Sequence, residues 1–508
     1  MLTQRKKWLI LVVVSLGLFM DLLDMTIVNV AVPKIMIDFG ANVNLTQYVL
    51  TAYMVTIGIF EPVTAYFADT FGMKKIFIIS LLVFTIGSAS CAMAWSIHAL
   101  IGFRIFQAIG GGVIMPLALS IVKKTFSKEE LPLAMGLMGI PLILAPALGP
   151  TIGGYFVGIH DSWRFIFWVN VPIGILTSYL SYSIIDEFEK TEKKLDLIGF
   201  ILSSLGFATL FLAVSNGAEA GWTSFEIVSL LVTSAIMLML FFTIEQTVKE
   251  PLIDFRIFRI QAYSAAIFVT FFLMIILFGT LYLLPLFMQQ LRNLGAFPTG
   301  LILIPEFVGA LLTIPLSALL LPRIGAVIPT VTGMIIMIFG TYPFTHLQVI
   351  TDLHSVELYL FVIGSGLGLA IMPSITLAFS VLPEELVNQG SAVLNLIRQL
   401  GSAFGVSILT SVVDQRAPYY MQRIVDQGSA GSNTLLFIYR YQNYFQSFGY
   451  NLTQAKQLTI TYALSFFEQQ ASVQAFHDAF GVSMIAAILG VIPAIFLFQK
   501  KAKVERSK

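Results

Sequence analysis

The feature that most constrains this chain is a series of long apolar stretches, each about as long as a helix that crosses a lipid bilayer. A spanning helix needs roughly 20 mostly apolar residues. Only 11% of the residues are charged, whereas soluble domains carry about 25%. The sequence therefore predicts an all-α integral membrane protein with 14 transmembrane helices. The stretches lie near residues 8–33, 46–68, 76–96, 98–122, 132–158, 163–185, 197–215, 225–244, 263–290, 299–322, 327–346, 355–381, 388–412 and 474–499.

Composition and missing motifs narrow the function classes. The net charge is +1, so no basic field would attract nucleic acid. The single cysteine, Cys91, excludes an internal disulfide and a multi-cysteine metal site. Phosphate-loop and zinc-protease motifs are absent, and the glycines of "GSGLG" (Gly364–Gly368) indicate close helix packing. We expect no enzymatic activity, no metal and no cofactor, with an ion gradient as the energy source.

Basic residues recur in alternate loops, which predicts the orientation. Lysine and arginine in short loops mark the cytoplasmic side of a membrane protein. The first apolar stretch is expected to remain as a span in the cell membrane. If both termini are cytoplasmic, the opposite loops are poor in basic residues and a large set of loop cations falls on the cytoplasmic side. These residues are Arg5, Lys6, Lys7, Lys74, Lys75, Lys123, Lys124, Lys128, Lys190, Lys193, Lys194, Lys249, Arg256, Arg259, Lys500, Lys501 and Lys503.

The chain repeats itself weakly. "GGVIMPLALSIV" (Gly111–Val122) is similar to "GLAIMPSITLAFSV" (Gly368–Val381), and "ADTFGMKK" (Ala68–Lys75) has an echo in "LPRIGAVI" (Leu321–Ile328). Two parallel six-helix halves explain the order and spacing, although chance similarity of apolar sequence is an alternative. The predicted units are an N-terminal bundle, two inserted linker helices and a C-terminal bundle, at 1–185, 186–262 and 263–508.

The stretch 413–473 is predicted to be a long, aromatic-rich extracellular loop before the last span. Segments such as "TLLFIYRYQNYF" (Thr434–Phe445) have the pattern of amphipathic helices that lie on a membrane surface.

Ionisable residues inside the apolar stretches are the strongest functional candidates. A charge at the bilayer centre costs about 2.5–3.5 kcal/mol on insertion scales, and such residues usually face a cavity or a partner. The alternative is a set of buried ion pairs that lock helices together. The candidates are Asp24, Glu61, Arg104, Glu306 and Arg398, with Asp21 one turn from Asp24.

Several motifs, in order, resemble the major facilitator superfamily. "AYFADTFGMKK" (Ala65–Lys75) is similar to its cytoplasmic loop motif, although Ala65 replaces a glycine and Met73 a basic residue. "RIFQAIGGG" (Arg104–Gly112) resembles the fourth-helix motif, and "PALGPTIGG" (Pro146–Gly154) the antiporter signature of the fifth helix.

"LDMTIVNVAVP" (Leu23–Pro33) resembles the first-helix motif of the 14-helix drug:proton antiporters of the EmrB/QacA type. Segments Asp161–Gly174, Glu250–Arg259 and Asn395–Ile408 are also similar to that family. The resemblance implies a multidrug efflux transporter that exchanges protons for lipophilic cations by alternating access.

The resemblance also implies roles for individual residues. The residues expected to couple transport to protons are Asp24, Arg104 and Glu61. It remains open whether Asp24 carries the proton, binds substrate, or holds Arg104 while Glu61 or Glu306 carries the proton. Arg398 is expected to be structural.

The substrate would meet an acidic, aromatic-lined site. Glu306 occupies the place of an acid that recognises cations in the family's tenth helix, and cation–π contacts would add to the attraction. The expected substrate-binding residues are Glu306, Glu61, Asp24, Gln107 and Asn395. The expected gating residues are Asp69, Gly72, Lys74, Lys75, Gly149, Pro150, Gly153 and Gly154.

Two other functions stay open from the sequence. One is export of a specific physiological solute, such as a lipid, a peptide or a siderophore. The other is a non-transporting membrane receptor. In each case the expected surroundings are the bilayer and small molecules, with the chain acting as a monomer.

Overall fold

The computed structural model describes residues 3–159, 161–190, 194–429 and 432–497, which form helices and contain no strand. Three short 3-10 helices, at Phe255–Arg259, Tyr342–His346 and Glu384–Leu386, join longer elements. The α-helices are α1 Gln4–Phe39, α2 Val43–Phe60, α3 Thr64–Phe71, α4 Met73–Ala92, α5 Ile97–Thr125, α6 Leu131–Ile159, α7 Phe165–Trp168, α8 Asn170–Ile184, α9 Leu197–Ala220, α10 Phe225–Glu245, α11 Gln261–Gln290, α12 Ala296–Ile302, α13 Ile304–Ile324, α14 Val327–Thr341, α15 Leu353–Val381, α16 Val387–Ser429, α17 Ser432–Ser447 and α18 Leu452–Ile495.

Fourteen spans account for the apolar helices of the described residues, as the sequence predicts. Thirteen helical segments are long and apolar enough to cross a bilayer, with α7 and α8 forming one span and α12 and α13 another. The fourteenth span is α2 with α3, which meet at a bend of 53°. Large apolar side chains such as Phe339 and Leu319 are more than half exposed on the outer surface, where lipid would cover them.

Two prolines lie at or next to breaks between helices. Pro62 lies in the break between α2 and α3, and Pro305 follows the break between α12 and α13. Proline supplies no backbone N–H and crowds the preceding turn, so it favours such breaks. Pro116 and Pro146 lie inside the continuous helices α5 and α6.

Two helices, one from each half, end in the same way. Gly72 ends α3 and Gly325 ends α13, each with a positive φ (99° and 75°) that glycine adopts most easily. Pro116 and Pro373 lie at nearly the same place in α5 and α15, which are both 29 residues long. These matches lie at the places where the two similar sequence stretches occur.

The inserted helices α9 and α10 sit on one side of the molecule. Helix α9 packs against α2 of the N-terminal half and α16 of the C-terminal half. Phe211 of α9 is fully buried with Leu396 and Leu400 of α16. Helix α9 therefore bridges the two halves.

The stretch predicted to be a loop at 413–473 is almost entirely helical. Helix α16 has 43 residues and α18 has 44, which is about 65 Å each at 1.5 Å per residue, against a hydrocarbon core of about 30 Å. Both helices therefore continue far beyond the bilayer. Arg416 of α16 pairs with Asp478 of α18 at 3.2 Å, and α17 packs against α18.

Charged loops gather at one face, called the terminal face because it carries the start of α1. Lys6 pairs with Asp186 at 2.6 Å and Lys7 with Glu130 at 2.7 Å. Hydrogen bonds from Lys7 and Gln4 hold the pKa of Glu130 at about 2, so this carboxylate stays ionised at any physiological pH. Of the predicted loop cations, Lys193, Lys500, Lys501 and Lys503 lie outside the described residues.

Candidate functional site

Asp24 and Arg104 form a buried ion pair inside the N-terminal half. Arg104 of α5 donates from Nη1 to Asp24 of α1, and both side chains are at most 1% exposed. Asp24 Oδ1 also accepts from Gln107 Nε2 at 3.0 Å and from Asn170 Nδ2 at 2.7 Å. The predicted pair is therefore made, and its acid is fully hydrogen-bonded.

The guanidinium of Arg104 is held on several sides as well. It donates to Gln107 Oε1 at 2.8 Å and to the carbonyl of Val49 at 3.3 Å. Its carbon lies 3.9 Å from the centre of the Tyr53 ring, a cation–π contact. All of these partners belong to the N-terminal half, so the pair joins α1, α2, α5 and α8 into one unit.

Asp21 lies one turn from Asp24 and has different neighbours. Its Oδ1 accepts from the Tyr53 hydroxyl at 2.9 Å, and the carboxyl is 2% exposed. A side chain at Gly111 of α5 would come within 2.5 Å of the Tyr53 hydroxyl and 3.0 Å of Asp21, so the glycine makes room for this contact. Asp21 also lies within electrostatic reach of Arg398 in the other half.

Glu61 faces the C-terminal half. Asn395 Nδ2 of α16 donates to Glu61 Oε1, while Glu61 Oε2 is buried with no hydrogen-bond partner. Arg398 Nε and Nη2 both donate to Asn395 Oδ1, at 3.0 and 2.8 Å. Asn395 therefore links the acid at the α2–α3 break to an arginine one helical turn further along α16.

Glu306 lies apart from the other charges, at the start of α13. Its carboxyl is fully buried, and neither oxygen has a hydrogen-bond partner. The helix backbone here touches α15, since a side chain at Gly364 would collide with the Glu306 carbonyl. Burying a carboxylate without a hydrogen-bond partner is costly, and more so than burying a neutral carboxyl.

Glu61 and Glu306 each lie beside a proline, in "FEP" and "IPEF", but they do not occupy comparable positions along their helices. Glu61 lies 11 residues before Gly72 and Glu306 lies 19 residues before Gly325, counting from equivalent helix ends. The difference is about 12 Å along a helix axis. Pro62 and Pro305 mark breaks at different depths, so the similar motifs "FEP" and "IPEF" are not repeat partners.

Asp69, one of the predicted gating residues, lies where the halves meet at the terminal face. Asn388 Nδ2 of α16 donates to Asp69 Oδ1 of α3, and Ser391 Oγ donates to the Pro116 carbonyl of α5 at 2.5 Å. Gln389 Oε1 accepts from the backbone N–H of Asp254 in the segment before α11. The predicted gate motif thus contacts the start of α16, which also holds Asn395 and Arg398.

The other predicted gating residues have local roles in this conformation. Gly149 and Gly153 let α6 approach α1, since a side chain at Gly149 would come within 2.1 Å of Thr26 Oγ1. Gly154 has open space beside it. Pro150 lies inside the continuous helix α6, and Lys74 lies 5.4 Å from the Tyr182 ring. Lys75 follows it in the first turn of α4.

Comparison with known proteins identifies the family. The family model of the Major Facilitator Superfamily matches residues 14–406. The chain belongs to the major facilitator superfamily. It is 30% identical over 505 residues to the Bacillus subtilis (strain 168) protein named "Uncharacterized MFS-type transporter YhcA", covering 98% of this chain and 94% of the relative. It is also 30% identical over 420 residues to the multidrug transporter protein MdtP of the same strain, covering 82% of this chain and 76% of the relative.

Solved structures of the superfamily share the fold. The human organic anion transporter MFSD10 (TETRAN) superposes with a TM-score of 0.60 at 13% identity, covering 95% of this chain and 99% of that chain. The proton:xylose symporter XylE superposes with a TM-score of 0.59 at 13% identity, covering 95% of each chain. The chain is therefore a multi-pass membrane protein of a transporter superfamily.

Several residues of this major facilitator site were not predicted from the sequence. Tyr53, Asn170, Asn388 and Ser391 all make hydrogen bonds that connect charged residues or the two halves. Asn170 lies in the segment Asp161–Gly174, and an uncharged polar residue within an apolar span was the signal that could have identified it. Polar side chains in hydrocarbon seek partners as charged ones do.

Proposed function

We propose that this protein is a multidrug exporter that exchanges protons for lipophilic, mainly cationic compounds by alternating access. The major facilitator fold supports transport, and relatives named as multidrug transporters support the substrate class. The proposal includes the cell membrane as its location, cytoplasmic termini, a monomeric transporter, no bound cofactor and the proton gradient as its energy source.

The observation that carries the proposal is the unsatisfied Glu306 carboxyl. It is fully buried between α13 and α15 without a hydrogen-bond partner. A carboxylate in that position would attract a lipophilic cation strongly, because few other groups compete for it. Rocking of the halves would open a path to this acid, which is closed in the present conformation.

The direct test uses purified protein in proteoliposomes with an imposed pH gradient. We expect a fluorescent lipophilic cation to move uphill while the gradient lasts and to stop when a proton ionophore collapses it. Liposomes without protein provide the baseline. Uphill movement that survives collapse of the gradient would contradict proton exchange, and absence of any flux despite binding would favour a receptor.

The role of Glu306 is tested by Glu306→Gln, which keeps the shape of the side chain and removes its charge. We expect transport of cations to fall about tenfold or more, equivalent to at least about 1.4 kcal/mol, while transport of neutral lipophilic compounds changes little. The matched control is Glu226→Gln, which removes an acid from the first turn of α10, on the linker helices. An equal loss for cationic and neutral compounds would exclude charge recognition by Glu306.

A further inference from the structure

A second group of buried charges lies near the Asp24–Arg104 pair. Asp24 and Arg104 neutralise each other within one half. Asp21 and Glu61 are two further buried acids, and Arg398 is a buried cation that shares the hydrogen-bond partner Asn395 with Glu61. If both acids are ionised, the group carries one net negative charge inside the protein. A single proton would make it neutral.

Asp21, Glu61 and Arg398 come from both halves, whereas the Asp24–Arg104 pair lies within one half. Asp21 belongs to α1 and Glu61 to the break between α2 and α3, whereas Asn395 and Arg398 belong to α16. Only Asn395 connects the acid and the arginine by hydrogen bonds, and no ion pair within 4 Å joins Arg398 to either acid among the described residues. Small movements of α16 can therefore change the distance between the arginine and the acids.

Resting on the function proposed above, we propose that Asp21, Glu61 and Arg398 form one proton-binding site between the two halves. When α16 brings Arg398 close, its charge balances one carboxylate and displaces the shared proton. When α16 moves away, the carboxylates take up a proton again, because two buried like charges cannot both stay ionised cheaply. The proton moves from water to a carboxylate oxygen and returns to water on the other side, with no other bond changed.

Among the described residues, Tyr53, Asp24 and Arg104 are titratable or charged groups that act on Asp21 from α1, α2 and α5. Tyr53 donates a hydrogen bond to Asp21 and stacks on Arg104, so it joins the site to the Asp24–Arg104 pair. Asp24 and Arg104 act on Asp21 from α1 and α5 with opposite signs. Asp24 is thereby assigned to holding Arg104 and shaping the field at Asp21, and the exchangeable proton to Asp21 and Glu61.

The test compares two transport modes of the same proteoliposomes. Proton-driven uphill transport requires the proton site, whereas exchange of labelled for unlabelled tetraphenylphosphonium without a gradient requires only substrate binding and rocking. We expect Asp21→Asn and Glu61→Gln to lose uphill transport by about tenfold or more, about 1.4 kcal/mol, and to retain exchange. Asp21→Glu, which keeps a carboxyl, should recover part of the uphill transport.

The control variant is Asp186→Asn, which removes a half-exposed acid that pairs with Lys6 at the terminal face. It should retain both modes. Size-exclusion chromatography and thermal unfolding in detergent check that each variant folds, and if Asp21→Asn does not, Asp21→Glu and Glu61→Gln decide the question.

The outcomes separate this inference from the proposed function. If wild-type uphill transport ignores the pH gradient, the proposed function fails. If wild-type transport is proton-driven but folded Asp21→Asn and Glu61→Gln keep it, the inference fails. Equal loss of uphill transport and exchange in folded variants would also overturn it, because the acids would then serve binding or rocking rather than the proton.

Discussion

At the scale of single residues, the difference between Asp24 and Asp21 lies in their partners. Asp24 receives an ion pair and two amide hydrogen bonds, whereas Asp21 receives one hydroxyl hydrogen bond. A buried ion pair whose remaining lone pairs are satisfied is stable only while both partners are present. Three partners from the N-terminal half therefore hold the Asp24 carboxylate in place, whereas one hydroxyl holds that of Asp21.

Removing one partner of the Asp24–Arg104 pair should destabilise the folded protein more than removing both partners. We expect Asp24→Asn to destabilise the protein by about 3–5 kcal/mol, because it leaves the Arg104 charge buried and unpaired. Adding Arg104→Gln should restore much of that loss. Thermal unfolding in detergent measures the cycle. Strictly additive effects of the two substitutions would show that the pair is not coupled.

Uphill transport should also be lost in Asp24→Asn, as the sequence predicts, but by a different route. With Arg104 released from Asp24, its charge would act on Asp21 instead, since Tyr53 places both groups side by side. The double variant Asp24→Asn/Arg104→Gln should therefore transport better than Asp24→Asn alone. Uphill transport at the wild-type level in Asp24→Asn would exclude an essential role for this acid.

The sequence predicted which residues carry charge into the membrane, and less well how they pair. The pairing of Asp24 with Arg104 could be predicted because each residue lies in a motif that resembles the family, one in the first helix and one in the fourth. The neighbours of Arg398 depend on the bend at Pro62 and on how far α16 reaches across the halves. Neither quantity is contained in hydropathy or spacing.

At the scale of helices, hydropathy located the spans and missed where helices end outside the membrane. In the sequence, an apolar stretch ends where the chain leaves the bilayer. The helix itself continues as long as its backbone hydrogen bonds and side-chain packing hold. Helices α16 and α18 continue through polar sequence and pair through Arg416 and Asp478. An Asn451–Gln454 capping box begins α18 well outside the predicted last span.

The glycines of the antiporter signature should separate into two groups when replaced by alanine. Gly149→Ala places a methyl group against Thr26 and the backbone of Ile27, so we expect a loss of about 1–3 kcal/mol from overpacking. Gly154→Ala, five residues away on the same helix, meets open space and should leave stability unchanged. Thermal unfolding of the two variants in detergent measures the difference.

The same pair also tests gating. If Gly154→Ala folds as the wild type does but loses transport, Gly154 must approach α1 or another helix in a conformation other than this one. If Gly149→Ala is as stable as the wild type, the tight α1–α6 contact is not required, and the packing role of the signature is wrong.

At the scale of the whole molecule, the halves touch on the terminal face through α16. Asn388 reaches Asp69, Ser391 reaches Pro116, and Gln389 contacts the segment before α11. The same helix carries Asn395 and Arg398 two to three turns further on. Opening this face would therefore move the gate contact and the proposed proton site together, which is a physical route from proton binding to rocking.

This coupling predicts that a covalent link across the halves stops transport, while a link within one half does not. In a Cys91→Ser background, the pair Asp69→Cys and Asn388→Cys places two thiols where side chains now contact each other. A short, reducible bis-methanethiosulfonate linker should abolish net efflux, and reduction should restore it. The matched pair Lys6→Cys and Asp186→Cys lies on the same face within the N-terminal half and should transport equally with and without the linker.

Each pair serves as its own reference, since flux is compared before linking, after linking and after reduction. This removes any loss caused by the substitutions themselves, including loss of the Asp69 carboxylate. Efflux that persists in the fully linked Asp69–Asn388 pair would mean that this face does not open, and rocking about the midplane would be wrong. Loss of efflux in both linked pairs would instead mean that the N-terminal half must flex internally, because Lys6 on α1 and Asp186 after α8 would then have to move apart during transport.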